Sequence, residues 1–128
     1  MILVDTSVVI DFTKGRDAKL VGLLPTLAVS ACGVTRAEVL CGARDPADRL
    51  DLLKILSGFQ PAPIPDALWE SVGDNLATLR AAGISVPFPD VVIATLGMQL
   101  GVEVWTRDKQ FTLMQSVLSG LRLFTEPP

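Results

Sequence analysis

Short apolar runs that alternate with amphipathic segments constrain the fold of this chain more than any other feature. The first run, Ile2–Val4, is apolar throughout, as in a strand buried on both faces of a sheet, and it ends at Asp5. Strands are predicted at residues 2–5, 27–31, 102–106 and 121–124, and the proline-rich stretch 59–66 is a loop or edge strand. Helices are predicted at 6–14, 17–24, 35–44, 45–56, 65–83, 87–101 and 107–118. This alternation predicts an α/β fold, with a mostly parallel central sheet and helices on both faces.

Glycine, proline and capping residues set several of the predicted ends. Gly15 and Gly101 can take the left-handed conformation that commonly ends a helix, and Pro25 ends the second helical segment. Thr35 is the predicted N-cap of the third helix. Two helices carry apolar residues at helical spacing, namely Leu50, Leu53 and Leu56 in one, and Trp69, Val72, Leu76 and Leu79 in the other.

The length and composition of the chain predict one domain that shares a surface with another protein. The 128 residues suffice for a single sizeable core, so residues 1–128 are expected to form one domain. Hydrophobic residues make up 49% and charged residues 20%, which places the apolar fraction at the upper end of the normal range. We therefore expect an oligomer or a protein partner to cover part of the apolar surface.

The chain carries no signature of a membrane or secreted protein. Its longest stretch without charge, residues 20–35, is interrupted by glycine and proline and falls short of the roughly 20 apolar residues that span a bilayer. The start lacks a basic region, which favours a cytoplasmic location over secretion. Cys32 and Cys41 are then expected to be reduced thiols, because two cysteines without histidine supply neither a disulfide framework nor a zinc site.

The charge and the absence of histidine restrict the chemistry. A formal net charge of −3 does not attract a polyanion, so a nucleic-acid role requires a local basic patch or a metal ion. Without histidine, the chain lacks both the usual proton shuttle near neutral pH and the commonest transition-metal ligand. Any catalysis must therefore use carboxylates, hydroxyls and basic side chains.

Four acids occupy equivalent places in the predicted fold. Asp5 ends the first strand, and Asp108 follows the strand at 102–106. Glu38 and Asp90 lie in the predicted first turns of their helices. In open α/β sheets, the carboxyl ends of the strands and the starts of the following helices form one edge where ligands bind. The four carboxylates are therefore predicted to face one pocket.

Each acid also has a structural interpretation. Thr35 and Glu38 fit a capping box, Asp108 fits an N-cap, and the helix dipole favours Asp90 near a helix start. Asp11, inside the first helix, is expected to be solvated or to act as a cap, although from one or two turns beyond Asp5 it could support the site. The other acids are expected to be solvated or to cap helices: Asp17, Asp45, Asp48, Asp51, Asp66, Glu70, Asp74, Glu103 and Glu126.

Together, the four acids favour a divalent cation. Clustered carboxylates repel each other and raise at least one pKa unless a cation neutralises them. Oxygen ligands without histidine or thiolate favour Mg²⁺ or Mn²⁺, either of which can activate water for phosphoryl displacement. The hydroxyls of Thr6, Ser7 and Thr106 are candidates to orient the carboxylates or metal-bound water, although Thr6 or Ser7 could simply cap the first helix.

Four segments resemble the motifs of one family, in order. "LVDTSVVIDF" is similar to the opening motif of the PIN-domain nucleases with Asp5 as its acid, and "TRAEVLCGAR" to the helix that carries Glu38. "PDVVIATLGMQLG" and "VWTRDKQF" resemble the segments that carry Asp90 and Asp108. The resemblance extends to about Phe111 and lies closest to the VapC-type toxins of bacterial toxin–antitoxin pairs.

This resemblance implies a compact three-layer α/β/α fold and Mg²⁺- or Mn²⁺-dependent endoribonuclease activity. It also implies a homodimer and a cognate VapB-type antitoxin. In such toxins the positions of Asp5 and Asp90 are the usual metal ligands, and those of Glu38 and Asp108 complete the acidic site. The only basic residues expected near the pocket are Lys14, Arg16, Arg36, Arg44, Arg107 and Lys109, so RNA affinity without a metal is expected to be modest. Trp105 and Phe111 are expected in the core rather than stacked on bases.

Two other classes remain open at this point. A haloacid-dehalogenase-like phosphatase or a receiver domain also places an aspartate at the end of its first strand. The phosphatase needs a second aspartate two residues later, where Ser7 stands, and the receiver needs an aspartate after a central strand in the middle of the chain. A PIN-like binding module without catalytic activity is the third class.

Overall fold

The computed structural model describes residues 1–128, and its elements alternate as predicted. The strands are β1 (Ile2–Val4), β2 (Val29–Cys32), β3 (Gln60–Ala62) and β4 (Glu103–Trp105). The helices are α1 (Thr6–Lys14), α2 (Ala18–Leu23), α3 (Gly33–Cys41), α4 (Pro46–Leu56), α5 (Leu68–Ala81), α6 (Phe88–Leu100) and α7 (Lys109–Gln115), with a 3₁₀ turn at Leu24–Thr26. No helix is both long enough and apolar enough to cross a membrane.

The four strands form one parallel sheet in the order β3-β2-β1-β4. In the register of the central strand, Ile2 lies between Val29 of β2 and Glu103 of β4. The proline-containing β3 is an edge strand, as predicted, because proline at an edge removes no ladder hydrogen bond from a central strand. All strands therefore have their carboxyl ends at the same side of the sheet.

Helices cover both faces of the sheet, which confirms the three-layer α/β/α prediction. Successive strand residues point to opposite faces, so Leu3 packs in a core with α5, α6 and α7, whereas Val4 packs in a core with α1, α2 and α4. Trp105 and Phe111 are fully buried, as expected. Cys32 and Cys41 are free thiols.

The prediction for α3 was wrong at its start. The helix begins at Gly33, and Thr35 lies inside it, where its hydroxyl donates to the Val4 carbonyl at 3.3 Å. Thr35 is therefore not the N-cap, and Glu38 lies in the second turn rather than the first. The predicted capping box does not form, since the Thr35 hydroxyl bonds to β1.

Two apolar faces were also assigned wrongly in part. The buried residues of α4 are Leu52 and Leu56, whereas Leu50 is 59% exposed. On α5, Leu68 is buried next to Val72, whereas Trp69 is 44% exposed. The buried pairs are spaced i, i+4 in both helices, Leu52 with Leu56 and Leu68 with Val72. Leu52 and Leu68 each directly precede a residue that was predicted to be on the apolar face.

The predicted last strand at 121–124 is reduced to a single bridge. Leu123 pairs with Val104, and Phe124 donates to the Val104 carbonyl at 2.8 Å. The Leu121 carbonyl is occupied by the Gln115 side chain at 3.0 Å, so the segment does not extend its pairing toward Leu121. Smaller differences lie at the ends of elements. Pro25 lies within the 3₁₀ turn that follows α2, and α7 ends at Gln115, three residues before its predicted end.

Candidate active site

The structure places the four predicted acids at the carboxyl edge of the sheet. Asp5 follows β1 as the N-cap of α1, and Asp108 follows β4 as the N-cap of α7. Asp90 lies in the first turn of α6, and Glu38 in the second turn of α3. The four acids therefore share the edge of the sheet at which the parallel strands end.

Asp5 is almost fully buried, and its two carboxylate oxygens have different surroundings. Its Oδ2 atom accepts hydrogen bonds from the Ser7 hydroxyl at 2.7 Å, the Thr106 hydroxyl at 3.0 Å and the Ser7 amide at 3.3 Å. Its Oδ1 atom accepts no hydrogen bond from the protein. Oδ1 is therefore the oxygen that can bind a cation.

Glu38 is held by Thr6, the residue after Asp5. The Thr6 hydroxyl, in the first turn of α1, donates to Glu38 Oε1 at 2.6 Å. Thr6 is 9% exposed, so this bond joins α1 to α3 in a largely buried setting. All three predicted supporting hydroxyls, those of Thr6, Ser7 and Thr106, thus bond to a predicted site acid.

Asp90 differs from the other acids because the protein offers its carboxylate no hydrogen-bond donor. The residue is 8% exposed. Burial, and then the negative charges of Asp5, Asp108 and Glu38, raise the pKa of Asp90 to about 7. A carboxylate in this position is stabilised either by a proton or by a cation.

Asp108 is the N-cap of α7 and also lies at the edge of the sheet with the other predicted acids. Its Oδ1 atom accepts from the Gln110 amide at 3.0 Å, and its own amide donates to the Thr106 hydroxyl at 3.0 Å. The structural interpretation of Asp108 as an N-cap is therefore correct. The cap occupies one carboxylate oxygen and leaves Oδ2 without a protein donor.

Arg107 was predicted only as a basic residue near the pocket, and its ion pairs were not predicted. Arg107 contacts Glu126 at 2.8 Å, Asp17 at 2.8 Å and Asp11 at 3.2 Å. The expectation that Glu126 is solvated or a cap was wrong, because Glu126 pairs with Arg107. Asp17 is a cap, as expected, and it also binds Arg107. The position of Arg107 between Thr106 and Asp108 was the only signal in the sequence.

The donor set fits a hydrated hard cation rather than a cage of protein ligands. No three acidic or cysteine side chains lie close enough together to enclose an ion directly. Mg²⁺ commonly binds through one or two carboxylates and keeps several waters, which suits Asp5 Oδ1 and the unpaired Asp90 carboxylate. The remaining acids can then act through water.

A groove of about 480 Å³ opens beside the site. Its lining includes Glu38 of the site, Ile10 and Lys14 from α1, and Arg44 from the loop before α4. Asp48 and Asp51 of α4 also line the groove, and Arg44 forms an ion pair with Asp48 at 3.3 Å. The groove carries no excess of positive charge, since Lys14 and Arg44 line it together with three acids.

Comparison with known proteins gives a consistent family match. The family model described as PIN domain matches residues 2–115. Ribonuclease VapC4 from Mycobacterium tuberculosis is 30% identical over 119 residues, which cover 90% of this chain and 92% of that protein.

Solved structures share the fold at lower sequence identity. VapBC2 from Rickettsia felis, bound to a DNA fragment from its promoter, superposes with a TM-score of 0.84 at 16% identity and covers 99% of this chain and 100% of that chain. FitAcB from Neisseria gonorrhoeae gives a TM-score of 0.79 at 21% identity, with 98% and 97% covered. VapBC-1 from nontypeable Haemophilus influenzae gives 0.77 at 19% identity, with 97% of both chains covered.

Proposed function

This chain belongs to the PIN domain family, as a VapC-type member, and from that membership we propose that it is the ribonuclease toxin of a toxin–antitoxin pair. We propose further that it hydrolyses RNA phosphodiester bonds in the cytoplasm with Mg²⁺ or Mn²⁺ as its cofactor. The family match favours this function over the phosphatase and receiver alternatives.

The surroundings of the Asp90 carboxylate are the observation that best supports metal dependence. Its carboxylate is nearly buried, has no donor from the protein and lies beside three other acids. A bound divalent cation removes the repulsion that otherwise holds a proton on Asp90 near neutral pH. The acidic edge therefore favours a cation over an uncharged ligand.

In this mechanism, Asp5 and Asp90 hold the ion, and Glu38 and Asp108 complete the acidic site. When bound, the ion supplies an activated water and stabilises the charge that develops on the phosphate. The hydroxyls of Ser7 and Thr106 keep Asp5 Oδ2 fixed, so that Oδ1 is presented to the cation. Thr6 orients Glu38 in the same way.

The protein contributes little positive charge to RNA binding. Arg107 and Arg44 are engaged by carboxylates, and Arg36 donates to the Leu56 carbonyl at 3.2 Å. Lys14 and Lys109 flank the site without an ion pair. We therefore propose that much of the affinity for the scissile phosphate comes through the metal ion.

We propose a VapB-type antitoxin and a second copy of the chain as protein partners. Several of the solved neighbours are VapBC complexes, which supports the antitoxin. Large apolar side chains stay exposed on several helices, notably Ile10, Trp69, Phe88 and Leu113, and this supports a surface that another chain covers.

RNA cleavage by the purified, antitoxin-free protein tests the proposal. Total bacterial RNA is incubated with the protein and Mg²⁺ or Mn²⁺, in parallel with EDTA and with Asp5→Asn. Glu70→Gln is the matched control, because Glu70 is an exposed acid on α5. We expect cleavage that EDTA and Asp5→Asn abolish and that Glu70→Gln retains. Equal cleavage by Asp5→Asn contradicts the mechanism, and no cleavage of any RNA by the wild type favours a PIN-like binding module without activity.

A further inference from the structure

One arginine next to the acidic site is bound by carboxylates from three separate parts of the chain. Arg107 Nε and Nη2 donate to the two oxygens of Glu126, at 2.9 and 2.8 Å, in a bidentate pair. Its Nη1 donates to Asp17 at 2.8 Å and to Asp11 at 3.2 Å. The guanidinium therefore links α1, the N-cap of α2 and the segment after α7.

These contacts leave Arg107 poorly suited to bind a phosphate. Three carboxylates surround its single positive charge, so the local charge is negative. The Arg107 side chain is 24% exposed, which partly shields the ion pairs from water. The hydrogen bond with Glu126 raises the pKa of Arg107 above its usual value, and Arg107 lowers the pKa of Glu126. The Leu20 amide, and then Arg107, lower the pKa of Asp17. A phosphate here would meet repulsion from the carboxylates.

The backbone of Arg107 takes part directly in the hydrogen bonds around Asp5. The Arg107 amide donates to the Ser7 hydroxyl at 3.0 Å, and that hydroxyl donates to Asp5. The preceding residue, Thr106, donates to the same Asp5 oxygen, and the following residue, Asp108, donates its amide to Thr106. The position of the Arg107 backbone therefore affects the hydrogen bonds of Ser7 and Thr106 that orient Asp5.

Glu126 also anchors the strand that leads into this loop. Its Oε2 atom accepts from the Trp105 indole at 3.1 Å, in addition to Arg107 Nε. Trp105 is fully buried, and its ring lies 4.8 Å from that of Phe124. One carboxylate therefore holds the side chains on both sides of Thr106.

We propose that Arg107 is a positioning residue of the acidic site and that Glu126, outside the predicted motifs, is the group that fixes it. The ion pairs hold the 106–108 loop so that Thr106 and Ser7 present Asp5 to the cation, with Asp108 beside them. This inference rests on the proposed nuclease function, and it assigns to Arg107 a role in site geometry rather than in RNA binding.

Kinetics of two conservative variants test this role. We expect Arg107→Lys, which keeps the charge but loses the bidentate geometry, and Glu126→Gln each to lower kcat by roughly 10-fold or more with KM nearly unchanged. The double variant should lose little more than either single variant, because both act through one unit. Arg80→Lys and Glu70→Gln are the matched controls, since both residues are exposed on α5 and neither forms an ion pair.

Opposite results are expected if Arg107 binds RNA. In that case Arg107→Lys would raise KM, and Glu126→Gln would lower KM, because it releases the guanidinium from its carboxylate. The proposal is overturned if KM changes in these two opposite directions. It is also overturned if both variants have the kcat of the wild type.

Two measurements do not depend on nuclease activity. Calorimetric titration with Mn²⁺ alone should show about 10-fold or more weaker binding in both variants than in the controls. In a Trp69→Phe background, Trp105 is the only tryptophan, so acrylamide quenching of its fluorescence reports whether Glu126 still holds the strand end. We expect Glu126→Gln to increase the quenching while the circular dichroism spectrum stays that of a folded protein.

These readouts separate the two proposals. A wild type that binds Mn²⁺ but cleaves no RNA contradicts the nuclease function only, and weaker Mn²⁺ binding by the variants still supports the positioning role. A wild type that cleaves RNA together with variants that keep full Mn²⁺ affinity and full kcat contradicts the positioning role only.

Discussion

The Thr106 hydroxyl donates a 3.0 Å hydrogen bond to Asp5 Oδ2, although 101 positions separate the two residues. The bond exists because β1 and β4 are adjacent and parallel, so the residues that follow them emerge at the same edge. Ser7 donates to the same oxygen at 2.7 Å. The position of the first acid therefore depends on the late strand-to-helix turn.

Removal of the Thr106 hydroxyl should impair activity more than it impairs the fold. We expect Thr106→Val to lower kcat by about 10- to 100-fold, because Asp5 loses a donor and the Asp108 amide loses its acceptor. Thr106→Ser keeps the hydroxyl and should stay near wild-type activity. Initial rates of RNA cleavage at saturating Mn²⁺ give the comparison, and equal rates for the valine and serine variants would contradict it.

Asp90 should make the metal-free protein less stable as the pH rises. The folded-state pKa of Asp90 is about 7, above its ordinary value of about 3.9, so the folded state binds more protons than the unfolded state between those values. The free energy of unfolding in EDTA should therefore fall by roughly 2–4 kcal/mol as the pH rises from about 4 to about 7.

Urea denaturation across this pH range measures the effect. Asp90→Asn cannot ionise, so its stability should lack this decline and exceed that of the wild type above pH 7. Excess Mn²⁺ should restore most of the wild-type stability at high pH, because a cation replaces the proton. Parallel curves for wild type and Asp90→Asn in EDTA would show that Asp90 does not titrate in this range.

RNA binding should depend only weakly on salt. Lys14, Arg16 and Lys109 are the cations near the site whose side chains form neither an ion pair nor a hydrogen bond within the protein, whereas Arg36 donates to the Leu56 carbonyl. Contact with about three phosphates gives a slope of log K against log salt of about −2 for single strands. Fluorescence anisotropy with a labelled RNA and the Asp5→Asn variant, from about 50 to about 200 mM salt, measures this slope. A slope steeper than about −4 would mean that paired arginines are released to the RNA.

The close contact between α6 and β4 should tolerate no side chain at Gly97. A Cβ atom there would lie 2.4 Å from Val104 Cγ2, so Gly97→Ala should destabilise the protein by about 1–3 kcal/mol. Val104→Ala in the same protein should recover part of this loss, because it removes the clashing methyl group. The control, Gly73→Ala, meets no atom within 4 Å and should be neutral or stabilising. Thermal unfolding of the four variants, the double variant included, tests the coupling.

The sequence predicted the parts of the molecule that follow from local periodicity and from strand ends. Asp5 and Asp108 lie where the apolar strands stop, so their common edge follows from a parallel sheet alone. The register of apolar residues on exposed helices did not follow in the same way. Leu50 and Leu52 are equally apolar, and only packing against the sheet decides that Leu52 is buried.

Bonds between distant segments were beyond sequence reasoning. Thr35 and Glu38 fit a local capping box, yet each side chain bonds across the fold, Thr35 to β1 and Glu38 to α1. Glu126 has no local pattern at all, and its contact with Arg107 exists only because the last segment packs against β4. The acids of the site were predictable, whereas the groups that orient them were found only in the structure.

The two oxygens of Asp5 have different hydrogen-bond partners, and this difference decides which substitution gives an inactive but folded protein. Oδ2 caps α1 and accepts from the hydroxyls of Ser7 and Thr106, whereas Oδ1 has no donor from the protein. Asparagine keeps an acceptor for the cap and places a neutral amide where the anion was, but alanine removes the cap as well, at about 1 kcal/mol. Asparagine is thus the substitution with which the proposed toxin can be overproduced in an inactive form, because it removes the anion and keeps the cap that holds this edge of the fold.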